Sequence, residues 1–106
     1  MARAIINVPP DARRGEIIEI RTLIAHPMET GFRADAGGRN IPRNLIRRLT
    51  CTYDGTLVFG AEFFAAVAAN PYCVFYTVAT ESGTLRFTWE GDDGFAQTES
   101  AAITVV

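Results

Sequence analysis

The chain has 106 residues, 48% hydrophobic and 21% charged, enough apolar material for one domain and too much for a disordered tail. No window approaches the ~18 consecutive apolar residues of a membrane span, and a net charge of −2 argues against nucleic acid as a main partner. The charge is uneven. Residues 1–50 carry nine Arg against five acids, and residues 51–106 one Arg against seven. Either the halves neutralise each other across the fold, or one face is basic and recruits an acidic partner.

The N-terminal stretch MARAIINVPPDARRGE has a short apolar run and no A-x-A-like site, so it reads as a strand and a turn, not a cleavable signal. The first strand is expected at about Arg3–Val8, stopped by Pro9-Pro10, which cannot donate ladder hydrogen bonds. A second runs from about Glu16 to Ala25, where Ile18, Ile20, Thr22 and Ile24 alternate with Glu19 and Arg21. That is the period of a half-buried strand. Residues 26–43, HPMETGFRADAGGRNIPR, exceed the ~12–15 residues usual for a structureless connection, so this loop is expected to be functional or partly ordered. Its DAGGRN tract favours local mobility.

Asn44–Tyr53 is expected as a strand entering the Asp54-Gly55 hairpin, with Thr56–Phe59 as the return. Ala61–Ala69 is the one helix-like segment, read as a connection or edge segment with a helical turn allowed. Tyr72–Ala79 is the next strand, and Ser82-Gly83 turns into Thr84–Trp89 with Leu85, Phe87 and Trp89 on one side. The turn EGDDG precedes a last strand, Phe95–Val105. About seven short strands in one chain fit an all-β, immunoglobulin-like antiparallel β-sandwich, with a small barrel as the alternative. Residues 1–106 are expected to form a single such domain.

The chemistry-bearing residues are few. There is no lysine, which removes Schiff-base and lysine-base mechanisms. One histidine, His26, excludes a blue-copper site and makes zinc improbable. Ser82 and Ser100 lie outside any nucleophile motif, and no phosphate-binding glycine motif occurs. Asp92 and Asp93 between Gly91 and Gly94 read as a polar turn, not a calcium loop. Cys51 and Cys73 sit in apolar strands and read as free buried thiols, with a disulfide or a reactive thiol as alternatives. No cofactor is expected. Arg33, Arg39, Arg43, Arg47 and Arg48 cluster in and after the long loop, as a solvated face or a docking surface. Arg33, Arg39 and Arg43, with His26 and Met28 at the loop's base, are the candidate partner-binding residues.

The loop also carries a resemblance. HPMETGFRADAGGRNIPRNLIRR, together with INVP, CTYDG, AANPY, FYTVATESGTLRFTW and DDG, resembles the SoxZ family over nearly the whole chain. The resemblance implies an immunoglobulin-like sandwich forming a heterodimer with SoxY. The SoxY C-terminal arm cysteine carries thiosulfate-derived sulfur in the periplasm while other sulfur-oxidation enzymes dock transiently. It implies a non-enzymatic subunit with no signal of its own, exported with its partner. No catalytic role passes to Cys51 or Cys73. The expected interface aromatics are drawn from Phe32, Phe63, Phe64, Tyr72, Phe75, Tyr76 and Phe95. Two other readings remain open: a small thiol redox protein using Cys51 or Cys73, and a self-associating structural sandwich that forms homodimers.

Overall fold

The computed structural model describes residues 2–106. Eight strands carry the fold: β1 (Ala4–Asn7), β2 (Asp11–Ala12), β3 (Ile17–Ile24), β4 (Ile46–Tyr53), β5 (Thr56–Glu62), β6 (Tyr72–Val78), β7 (Gly83–Gly91) and β8 (Ala96–Val105). A 3-10 turn at Asp92–Gly94 links the last two. The strands form a three-stranded sheet in the order β1-β3-β6 and a five-stranded sheet in the order β2-β8-β7-β4-β5. The two sheets pack as an all-β, immunoglobulin-like sandwich. Pairing is antiparallel apart from the two-residue β2–β8 contact, which is parallel.

The period-two patterns translate directly into burial. Ile18, Ile20, Thr22 and Ile24 of β3 all point inward, as do Leu85, Phe87 and Trp89 of β7. Each fully buried Leu, Ile or Phe side chain contributes about 1.5–3 kcal/mol relative to exposure, so these rows set which face of each sheet turns inward. Leu49, Cys51 and Tyr53 of β4 and Phe75 of β6 complete the core. Phe59 of β5 stacks on Phe75 with ring centroids 4.0 Å apart, joining the sheets where β5 faces β6. At the β4–β5 turn, Asp54 and Gly55 have φ of 48° and 84°, the two positive values that the hairpin dipeptide is suited to supply.

Four expectations need correction. The return strand does not stop at Phe59, since Ala61–Ala69, read as a connection or edge segment, begins as the end of the edge strand β5 and continues as a connection to β6. Ala61 and Glu62 extend β5, paired with Leu49 and Arg48, because continuing an existing ladder outweighs the weak propensity of a short alanine-rich run. The DAGGRN tract is a hydrogen-bonded hairpin: the Asp35 carboxylate accepts the Gly37 and Arg39 N–H groups at 2.9 and 3.0 Å, and Ala34 bridges Asn40. Strand β2 escaped the sequence reading because its partner, β8, is 93 residues away and its two residues carry no period. Phe75 belongs to the core, at 4% exposure, with Phe63 and Phe95 packed against it, so those three leave the set of free interface aromatics.

Candidate functional site

The long loop is held from beneath by its own first residues. His26 is buried, with its ring edge-on to Phe95 at 5.3 Å. Its N–H donates to Asn70 Oδ1 at 3.0 Å, and the Asn70 N–H donates back to the His26 carbonyl at 2.8 Å. The His26 Nδ1 accepts the Met28 N–H at 3.0 Å. This bond fixes Met28 in the left-handed region, φ 53°, and turns its thioether inward, where Sδ receives the Ile46 N–H at 3.3 Å. Burial pushes the His26 pKa down, opposed by the Asn44 side chain and by Asp92. Above this base Glu29 and Asn44 exchange two backbone hydrogen bonds, 2.9 and 2.8 Å, so the loop leaves and re-enters the sandwich as a paired stem.

Asp92 ties that stem to the far half of the chain. Its carboxylate accepts Arg43 Nε and Nη2 at 3.0 Å each and the Leu45 N–H at 3.0 Å. The Arg43 guanidinium, then the Leu45 amide, holds its carboxyl below the usual range. Gly91 makes the approach feasible, since a Cβ there would stand 2.5 Å from the Leu45 carbonyl oxygen. The alternative in which the arginine-rich half is neutralised by acids of the second half is thus realised for Arg43, whose partner is 49 positions away.

The five residues singled out from sequence therefore divide. His26 and Met28 are buried and support the loop from inside. Arg33 is hydrogen-bonded to Glu29 through Nε at 3.2 Å and through Nη2, and Arg43 is committed to Asp92. Arg39 is exposed and makes no ion pair among the described residues.

The two sheets present very different outer faces. Outward positions of the five-stranded sheet include Arg48, Thr84, Arg86, Thr88, Glu90, Thr98 and Ser100, an ordinary solvated surface. The three-stranded sheet instead exposes Ile5 (51%), Ile17 (70%), Tyr72 (60%), Val74 (38%), Tyr76 (61%) and Val78 (44%). Register places Ile17 beside Val78, Glu19 beside Tyr76 and Arg21 beside Val74, so these side chains form one patch. Its centre is polar: Glu19 takes a hydrogen bond from Arg21 and another from the Tyr76 hydroxyl at 3.1 Å. Arg21, then Tyr76, lowers the Glu19 pKa, and the tyrosine's own is raised. Tyr72 and Tyr76 were among the aromatics expected at an interface, while the exposed Ile5, Ile17, Val74 and Val78 around them were not singled out in the sequence. With no layer packed on that side of the three-stranded sheet, the outward residues of its central strand β3 and of β6 are both uncovered.

A groove of about 670 Å³ opens at the loop end of the five-stranded sheet. Phe32 and Phe64, 85% and 66% exposed, line it together with Arg43, Arg47, Arg48 and Glu62.

Both cysteines are free. Cys51 lies in the five-stranded sheet and Cys73 in the three-stranded one. Burial pushes the Cys51 thiol up to about 12 and raises that of Cys73 as well. Among the described residues no three His, Cys, Asp or Glu side chains gather as a metal-binding group.

These features define a class, the small immunoglobulin-like β-sandwich with an uncovered apolar sheet face. Within it the chain belongs to the SoxZ family: the family model for Sulphur oxidation protein SoxZ matches residues 6–102, nearly the whole chain. Membership gives it a role in the Sox sulfur-oxidation system. No curated protein matches the sequence. Among solved structures it is similar to superoxide reductase (neelaredoxin) from Ignicoccus hospitalis, at 17% identity over 99% of this chain and 82% of that one, TM-score 0.72. It is also similar to the sulfur carrier protein SoxY from Chlorobium limicola f thiosulfatophilum, at 10% identity over 97% of this chain and 78% of that one, TM-score 0.67. At such identities the likeness is one of fold alone.

Proposed function

We propose that the protein is the non-enzymatic subunit of a periplasmic sulfur-carrier heterodimer. In this reading SoxY is the partner, its arm cysteine carries the sulfur covalently, and this chain gives the carrier a rigid sandwich to sit against. The supporting observation is the contrast between the two outer faces. An antiparallel sheet can face water on one side, and then that side is polar; the outer face of β1-β3-β6 instead surrounds its small Glu19–Arg21–Tyr76 network with exposed Ile and Val. A sheet of three strands ~4.8 Å apart and about seven residues long covers roughly 300 Å² in plan. A stable interface of about 800 Å² per partner must reach beyond it, around the β5–β6 edge where Leu57 is 62% exposed. Tyrosines at the centre of such a patch are common binding hot spots. The Glu19–Arg21–Tyr76 network offers a polar register mark within it.

On the same reading the long loop serves docking of other sulfur-oxidation proteins. Arg39 presents its charge, Arg33 shares its own with Glu29, Arg43 holds the loop to Asp92, and His26 and Met28 hold its base. No cofactor is required. A thiol redox role is disfavoured because the nucleophile is the thiolate, and burial keeps both thiols protonated.

Co-expression with SoxY tests the proposal. A Val74→Asp/Tyr76→Asp variant is expected to fold with an unchanged far-ultraviolet circular dichroism spectrum and to lose SoxY on co-purification. Full retention of SoxY would refute the assigned face. Sedimentation of the isolated chain separates the alternative: a tight homodimer abolished by the same substitutions, with no binding to SoxY, would favour the self-associating sandwich.

A further inference from the structure

The groove at the loop end lies away from the apolar sheet face and is built from different material. One side comes from the loop, through Phe32. Another comes from the chain just after β5, through Phe64. Arg47 and Arg48, at the start of β4, line it as well, as do Glu62 and Glu90. The stem beneath is fixed by the Glu29–Asn44 pair and by Arg43 on Asp92, so the groove is formed before any ligand arrives.

Its cations are poorly spent inside the chain. Arg47 approaches the Asp92 carboxylate only to 4.0 Å, a contact secondary to that of Arg43. Arg48 is flanked across the strands by Glu62 and Glu90, yet makes no ion pair with either among the described residues. Two largely exposed phenylalanines beside two under-used guanidinium groups give the composition of a binding hot spot, where aromatic residues and Arg are enriched. Phe rings want an apolar or aromatic counterpart, and guanidinium groups want carboxylates, which they grip in bidentate fashion.

We propose that this groove recognises an extended acidic segment of a second protein, with carboxylates on Arg47 and Arg48 and an aromatic or aliphatic side chain between Phe32 and Phe64. The site is distinct from the face assigned to SoxY, so both can be occupied at once. Steering by the arginines makes the association salt-sensitive.

Selection from a random ten-residue peptide display library tests this, followed by fluorescence anisotropy with the synthetic winners at low and high salt. The selected pool is expected to be acidic with at least one aromatic or aliphatic residue. Affinity should fall at least ten-fold for Arg47→Gln/Arg48→Gln and for Phe32→Ala/Phe64→Ala, and salt should weaken it. Both variants should keep the wild-type circular dichroism spectrum and co-purify with SoxY as before, which separates this test from that of the heterodimer. A pool without acidic enrichment, or binding unaffected by the arginine pair, overturns the proposal. Displacement by millimolar sulfate combined with indifference to the phenylalanine pair would mean a simple anion site, and overturns it equally.

Discussion

At the scale of single residues, burial decides which groups can do chemistry. Cys51 is fully buried and held protonated to about pH 12, so native alkylation should leave it unmodified while unfolding in denaturant exposes both thiols. Mass spectrometry after a brief iodoacetamide pulse reads this directly. Rapid modification of Cys51 in the folded protein would show that the strand opens. Cys51→Ser places a hydroxyl among apolar neighbours, at a cost of about 1–3 kcal/mol, measurable as a lower denaturant midpoint. The carrier complex should still support sulfur oxidation once folded. Gly91 is critical for another reason. Its φ of −154° is ordinary, so the constraint is space: a Cβ would press on the Leu45 carbonyl. Gly91→Ala should destabilise by about 1–3 kcal/mol and loosen the Asp92 contacts together. A wild-type melting temperature would contradict that packing.

At the scale of elements, strands were legible wherever one face was buried and the other wet. Both β3 and β7 wrote their burial as alternation, and the Asp54-Gly55 dipeptide marked the hairpin. The misread segments fail for physical reasons. Ala61 and Glu62 were judged by composition, but their state is set by pairing with β4. The length of the 26–43 loop signalled some order, while its anchors on Asn70, Asp92 and Phe95 are tertiary and invisible locally. His26 makes that order pH-dependent. Its folded pKa lies below the ordinary 6.5, so the folded imidazole stays neutral where the unfolded chain takes up a proton. Its contribution is complete above about pH 6.5 and is lost as pH falls below that toward the folded value. A proton on Nδ1 would also displace the Met28 N–H. Between pH 7 and 5 the unfolding midpoint should therefore decrease, and hydrogen exchange at Met28 should accelerate beyond its intrinsic rate. In His26→Gln this slope should flatten. Glu29 and Asp92, lowered below 4.5 and 3.8 by Arg33 and Arg43, lose their ion pairs only at more acid pH, which keeps the histidine window separate. An unchanged slope in His26→Gln would assign the effect elsewhere.

At the scale of the whole molecule, the sandwich divides its surface by sheet. Apart from Leu57 on its edge strand, the five-stranded sheet faces water mainly with Thr, Ser, Arg and Glu, and the three-stranded sheet faces it mainly with Ile, Val and Tyr. The uneven charge along the chain is partly settled inside the fold, as Arg43 on Asp92 shows, so it does not by itself mark a basic face. That division could not be inferred from sequence, since it depends on which strands share a sheet and on whether anything packs on its outer side. The chain's three tyrosines make the division measurable: Tyr72 and Tyr76 lie on the apolar face, and Tyr53 is buried as an internal reference. Hydroxyl-radical footprinting of the isolated chain and of its saturated complex with SoxY, read by peptide mass spectrometry, tests the central claim most directly. Tyr72 and Tyr76 should be modified in the free chain and protected several-fold in the complex, with Phe32 and Phe64 still reactive and Tyr53 silent in both. Full modification of Tyr72 and Tyr76 in the saturated complex would contradict the assignment of this face to the partner.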